Sequence, residues 1–229
     1  ADENIVVRRL AEIYEAQLSD FPKAIECYQK ALRFDPQDLF VVEALERLFA
    51  RQQDWNALLE IKVSKLEMTW EPEPKALLLE QICQLLCEEL DRAQDAIAYY
   101  GDLLELQENN REVMDRLESL YREFSHWDAL VSLLSRQMSM AESDAERMQI
   151  TMRIGDINRD QLCDFNAAVD AFSTVLLQDS EYRGAVDGLH QVLRVMVATD
   201  EDTVVIRACD ILEPWYRARD EWQNEIEIL

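Results

Sequence analysis

The chain has 229 residues, 47 of them acidic and 23 basic, and its formal charge of −24 repels phosphate backbones and anionic lipid, which disfavours nucleic-acid and membrane-surface binding. Four glycines and five prolines supply too little turn chemistry for a β-sandwich or barrel, whereas 31% charged and 48% hydrophobic residues suit amphipathic helices. No stretch approaches the ~18 uninterrupted apolar residues of a membrane span, and Ala1-Asp2-Glu3-Asn4 is not the start of a basic-then-apolar signal segment.

The first predicted helix carries Leu10-Ala11-x-x-Tyr14 and ends in the turn Leu18-Ser19-Asp20-Phe21-Pro22. The second carries Ala24-x-x-x-Tyr28-x-x-Ala31 and closes at Asp35-Pro36. Apolar positions at i, i+3, i+4 and i+7 define one buried stripe on each helix. Pro22 suits a first helical turn, where no N–H is needed, and Asp20 can cap the amides beside it. A second type of hairpin follows, with Leu45-x-x-Leu48-Phe49 on one helix and Asp54-Trp55-x-x-Leu58-Leu59 on the next.

The whole pattern then returns 72 residues on. Ala24, Ala96 and Ala168 align, as do Tyr28, Tyr100 and Phe172, and Leu32, Leu104 and Leu176. Upstream, Leu10, Ile82 and Ile154, then Ile13, Leu85 and Ile157, then Leu18, Leu90 and Leu162 keep the register and are predicted to be core. The second hairpin recurs as Leu117-x-x-Leu120-Tyr121 and Trp127-x-x-Leu130-Val131. Ser125 with Asp128 and Ser143 with Glu146 have capping-box spacing and predict two more helix starts. Such a period predicts units that pack on their neighbours, an all-α solenoid of antiparallel hairpins in three double-hairpin units at about 3–74, 75–146 and 147–229.

The third unit departs from the pattern. Leu189 and Val192 keep register with Leu45 and Leu48, but Thr199 stands where Trp is due, and the signature reappears as Leu212, Tyr216 and Trp222. This predicts an extra helix near 200–219 after an acidic turn from Thr199 to Asp202, with Pro214 kinking it. The last helix, from Trp222 through Ile226 and Ile228 to Leu229, is cut short without a polar cap, which predicts a fragment of a longer array or end-to-end stacking on another chain.

A small residue at Ala11, Cys83 and Gly155, alanine at 24, 96 and 168, an aromatic at Tyr28, Tyr100 and Phe172, and the closing Pro36 together resemble the tetratricopeptide repeat. Compared with the family's 34-residue pattern, an extra residue sits in the turn of the first hairpin type. In the second type Glu46 and Glu118 replace the small residue. The pairing of regular and degenerate hairpins is similar to tandem arrays of large bacterial members. The resemblance implies a right-handed α-solenoid whose first helices line a concave, peptide-binding groove.

Carried onto this chain, the groove positions are Arg8, Glu12 and Glu15, then Glu43, Arg47 and Arg51, then Glu80, Gln84 and Glu88, then Asp115, Ser119 and Arg122, and finally Asp156 and Arg159. Members that clamp a carboxylate use Lys, Arg and Asn there. Glu12, Glu43 and Glu80 argue instead for a basic or amphipathic protein segment laid in a mixed, acidic groove. The alternative is a structural spacer or self-associating segment without a peptide ligand.

Catalytic chemistry is scarce. His126 and His190 lie far apart, no Cys/His cluster has metal-ligand spacing, and no phosphate-binding or nucleophile-elbow motif occurs, so neither an enzyme nor a cofactor is expected. His126 reads as a helix-start residue. Cys83 reads as a buried thiol, and Trp55, Trp127 and Trp222 read as core, while Trp70 and Trp215 are the tryptophans expected to be exposed. Five cysteines without framework spacing predict a reducing, cytoplasmic setting. A first residue other than Met reads as a processed or excised end, which leaves export open.

Overall fold

The structure, a computed structural model, describes residues 2–196, 202–217 and 219, and these contain helices and no strand. They fall into two compact units, Ala1–Leu120 and Tyr121–Leu229. The first holds α1 (Asp2–Ala16), α2 (Phe21–Phe34), α3 (Leu39–Gln52), α4 (Trp55–Met68), α5 (Pro72–Gln84) and α6 (Ala93–Leu106). Helix α7 (Arg111–Glu123) crosses the division. The second holds α8 (Trp127–Met140), α9 (Asp144–Ile157), α10 (Phe165–Gln178), α11 (Arg183–Met196) and α12 (Asp202–Arg217). Within each unit, consecutive helices pack on one another as hairpins, the all-α, solenoid-type arrangement. No helix among the described residues is long and apolar enough to cross a membrane.

Helix boundaries follow from local chemistry. Asp20, Asp54 and Asp164 accept hydrogen bonds from the amides of Lys23, Ala57 and Ala167, and Asp38 accepts from Phe40 and Val41, so each acid satisfies amides that its helix leaves unpaired. Pro22 lies in the first turn of α2. Ser143 caps Glu146, and the Glu146 carboxylate accepts from the amide of Glu142, one residue further back than in the standard capping box. The other proposed box does not form. Ser125 takes a left-handed φ of 58°, and His126 is the residue before α8, with no side-chain cap bond.

The extra turn residue of the first hairpin type is visible in the backbone. Ser19, Asp91 and Cys163 adopt φ of 52°, 52° and 54°, and in each case the following amide reaches back six residues, from Asp20 to the Tyr14 carbonyl, Arg92 to Leu86 and Asp164 to Asn158. The second type reaches back five, from Asp54 to Phe49 and His126 to Tyr121. The added residue is absorbed by widening the helix end. Leu85–Glu89 and Asn158–Leu162 accordingly form π-helical turns that continue α5 and α9.

Ile82, Leu85 and Ile157 are buried as the register requires, but Leu10 and Leu18 are exposed. Leu18 follows the C-terminal end of α1 in the turn. Helix α12 lies within the stretch 200–219 where the sequence predicts a helix, begins three residues after Thr199, the register equivalent of Trp127, and packs on α11 and α10. Pro214 lies inside α12 close to its end, where the N–H it lacks removes a bond to the Asp210 carbonyl. The acidic turn predicted from Thr199 and the last helix, with Trp222, Ile226, Ile228 and Leu229, lie outside the described residues.

Candidate functional site

In the first unit, α1, the start of α2 and α3 enclose an open cavity of about 550 Å³. Its walls carry Glu12, Glu15, Arg47 and Arg51 of the predicted groove, with Ile13, Phe21, Tyr28 and Phe40 supplying apolar surface. Helical spacing places the set. Glu12 and Glu15 are one turn apart on α1, and Arg47 and Arg51 are one turn apart on α3.

The charges are largely paired. The Glu15 carboxylate accepts from the Tyr28 hydroxyl at 3.0 Å and from Arg47 at 2.6 and 3.1 Å, and Glu12 accepts from Arg9 at 2.6 Å. Burial first, and then the bond to Glu15, push the Tyr28 hydroxyl well above its ordinary pKa, so it stays a donor. Arg51 stacks on the Phe21 ring, 4.1 Å from its centroid. Arg8 reaches Asp38 at 3.0 Å and lies over the Phe40 ring at 4.2 Å, which ties α1 to the start of α3. The cavity is thus an apolar floor with an ion-paired rim.

Equivalent places carry other chemistry. Where Glu15 meets Tyr28, the second copy sets Cys87 near Tyr100, and the third sets the Arg159 guanidinium 5.7 Å from the Phe172 ring. Beneath these pairs lie Ala11, Cys83 and Gly155, all buried. A Cβ on Gly155 would stand 2.6 Å from Phe172 Cε1, and one on Gly188 would stand 2.7 Å from Cζ, so the ring is clamped between two glycines. Burial, with the neighbouring Cys87, raises the Cys83 thiol to about 12, and its Sγ points to the Ala96 carbonyl, as a structural thiol should.

The remaining predicted positions are not gathered into that cavity. Glu43, Asp115 and Ser119 are exposed, with the Ser119 hydroxyl donating to the Asp115 carbonyl. Glu80 accepts from Gln107, and Gln84 donates to Glu88. Arg122, Asp156 and Arg159 belong to the second unit, where Arg159 bridges Asp156 and Asp160 at 3.1 and 2.6 Å. Burial raises the Asp156 carboxyl despite Arg159, whereas the Arg159 bond holds Asp160 low.

Several features escape the sequence pattern. Lys62 is buried and donates to Glu46 at 2.5 Å and to Gln81 at 2.7 Å, while Lys65 reaches the other Glu46 oxygen at 2.8 Å. Burial pushes the Glu46 carboxyl up, but the two ammonium groups outweigh it and hold it below its ordinary value. Glu46 in place of a small residue is the one sequence signal for this cluster. Trp70 is 87% exposed, as expected, but Trp215 is half-buried, packed against the α10–α12 core with Arg219 over its ring at 4.0 Å. Trp55 and Trp127 are also half-buried against their cores. His190 is half-buried and hydrogen-bonds the Tyr216 hydroxyl, and burial lowers its pKa. Among the described residues, no three His, Cys, Asp or Glu side chains gather as a metal site.

The family model of the tetratricopeptide repeat matches residues 7–40, which span α2 and most of α1 and enclose the cavity's floor. No curated protein matches the chain. Among solved structures, YrrB, described as a TPR protein with an unusual peptide-binding site, is 14% identical, with a TM-score of 0.37 over 79% of this chain and 89% of that one. A tetratricopeptide repeat protein from Parabacteroides merdae is 14% identical, with a TM-score of 0.37 over 100% and 90%. The TPR2AB domain of yeast Sti1, in a pHSP90 complex, is 12% identical, with a TM-score of 0.32 over 99% and 96%. All three superpose loosely. Residues 7–40, the α1–α2 hairpin, match the tetratricopeptide repeat, and the helices that follow in each unit also pack consecutively.

Proposed function

We propose that this chain is a protein-interaction scaffold, not an enzyme, and that it takes an amphipathic or basic protein segment along the first helices of its hairpins. The observation that carries this reading is the cavity between α1, α2 and α3. Its apolar floor of Ile13, Phe21 and Phe40 suits one or two apolar side chains of a ligand, and its rim of Glu12, Glu15, Arg47 and Arg51 suits the polar backbone and charges beside them. The −24 charge favours the approach of a basic segment. Glu43 and Glu80, exposed on α3 and α5, supply carboxylates beyond the cavity.

In this proposal the chain is built of three units, about 3–74, 75–146 and 147–229, each presenting the first helices of its own hairpins. The odd count of five cysteines without framework spacing is the sequence feature that supports a reducing, cytoplasmic setting. The test starts from a partner captured by the chain and identified. Reversal of Glu12, Glu43 and Glu80 to Lys abolishes its capture while circular dichroism keeps the same helical content. Capture that survives the triple reversal rules out the groove.

A further inference from the structure

The second helices of neighbouring hairpins enclose a cavity at the same place in both units. In the first unit it measures about 440 Å³, lined by Gln29, Arg33 and Pro36 of α2 and its closing turn and by Glu60, Ile61 and Ser64 of α4. In the second it measures about 500 Å³. Ser173, Leu177 and Ser180 line it two 72-residue periods after the first three, and Asp210, Ile211 and Pro214 keep the spacing of the α4 set. The α2–α4 cavity stays open although α1 precedes it and α5 and α6 follow within the same unit, so further helices of an array do not close this face.

The two copies differ in chemistry. An acid is common to both, Glu60 and Asp210. Around it, Arg33, Ser64 and Lys65 of the first copy give way to Leu177, Pro214 and Trp215, three polar side chains replaced by apolar ones on one surface. Leu177 is 87% exposed, and Pro214 is exposed as well. Apolar surface therefore continues from the cavity onto its lip. A small molecule held inside leaves that lip in water, whereas a protein segment lying along the helices covers it.

Hydrogen-bonded bridges fix the register of the walls. Arg207 of α12 reaches Asn166 at 3.0 Å and also Asp170 on α10, and Arg219 reaches Glu181 at 3.1 Å. Between these bridges Ser173 stands level with Asp210 and, one helical turn on, Leu177 stands level with Pro214. Arg207 and Arg219 are thus taken, and the exposed Asp210 carboxylate has no ion pair among the described residues.

We propose that the α10–α12 groove docks an amphipathic helix of a partner protein, with leucine or phenylalanine against Leu177, Ile211 and Pro214 and a lysine or arginine one turn away, opposite Asp210. The surface is built from second helices, and none of the residues of the proposed first-helix groove lines it.

A charge exchange tests the site. The probe is a fluorescein-labelled, alanine-based helical peptide whose single lysine has leucine one helical turn to either side, titrated with the intact chain and followed by anisotropy. Its counterpart carries glutamate for the lysine. The wild-type chain binds the lysine peptide at least tenfold more tightly, and Asp210→Lys inverts that preference. Leu177→Arg, which installs the first copy's residue at an exposed position and leaves the helical content unchanged, weakens both peptides at least tenfold. Binding persists when Glu12, Glu43 and Glu80 are reversed to Lys, so this site stands or falls independently of the groove. Four results overturn the proposal. The first is no binding of the lysine peptide to the wild-type chain, and the second is binding indifferent to Asp210→Lys or Leu177→Arg. The third is binding lost on the triple reversal, which assigns the peptide to the first-helix groove. The fourth is a dimer in sedimentation that Leu177→Arg dissolves and the peptide does not displace, which makes a second copy the occupant.

Discussion

Phe172 shows how tightly single positions are set. Its ring fills the space that two absent Cβ atoms leave, at Gly155 on α9 and Gly188 on α11, whereas the first copy meets the same need with Ala11, Tyr28 and Ala44. Both glycines sit in α-helices without positive φ, so their role is space and not backbone freedom. Gly155→Ala gains helix propensity of about 1 kcal/mol but forces the ring to move. Overpacking of this kind costs about 1–3 kcal/mol. Thermal unfolding of Gly155→Ala is expected to show a net loss of stability, with Gly101→Ala, where a Cβ meets nothing within 4 Å, showing a gain as the control. The small residue at 155 was legible in the sequence as a family position. That the partner ring is held from both sides was not, because Gly188 belongs to the degenerate hairpin, where the pattern assigns no small residue.

At the scale of elements, α3, α4 and α5 are joined by a buried charge cluster where apolar packing would serve. Removing Glu46 leaves the Lys62 ammonium without its anion, and breaking a buried pair in this way costs about 3–5 kcal/mol. Glu46→Ala should fall at the lower end, because Gln81 remains as an acceptor. The next copy has Leu134, fully buried, in the place of Lys62. The double variant Glu46→Ala with Lys62→Leu is therefore expected to be clearly more stable than Glu46→Ala alone in urea denaturation, and an equal loss in both would show that the ion pair is not the cause. Since the native environment holds the Glu46 carboxyl below its ordinary value, its contribution is present above that value and lost as acid protonates it. Element boundaries were readable from Asp20, Asp54, Pro22 and Ser143. The His126 boundary was readable as well, but its mechanism was not, because capping-box spacing at Ser125 competes with a backbone that needs a left-handed residue there to close the turn.

Charge dominates at the scale of the whole molecule. A field of −24 raises the encounter rate of a basic segment, and the effect decays over a Debye length of about 8 Å at physiological ionic strength. Binding of a captured partner to the proposed groove is expected to weaken markedly between low and high salt, measured by titration at each ionic strength. Salt-independent binding would assign the contact to apolar stacking instead. The sequence by itself determined the helical class, the alternation of two hairpin types and the residues that pack between helices, because period and capping are local properties that each copy repeats. Only the tertiary structure decided which of the predicted groove residues share a cavity, how far Glu15 and Arg47 neutralise each other, and that α12 packs on both α10 and α11. Burial and pairing are properties of neighbours distant in sequence. An apolar stripe on one helix reads the same whether another helix covers it or not.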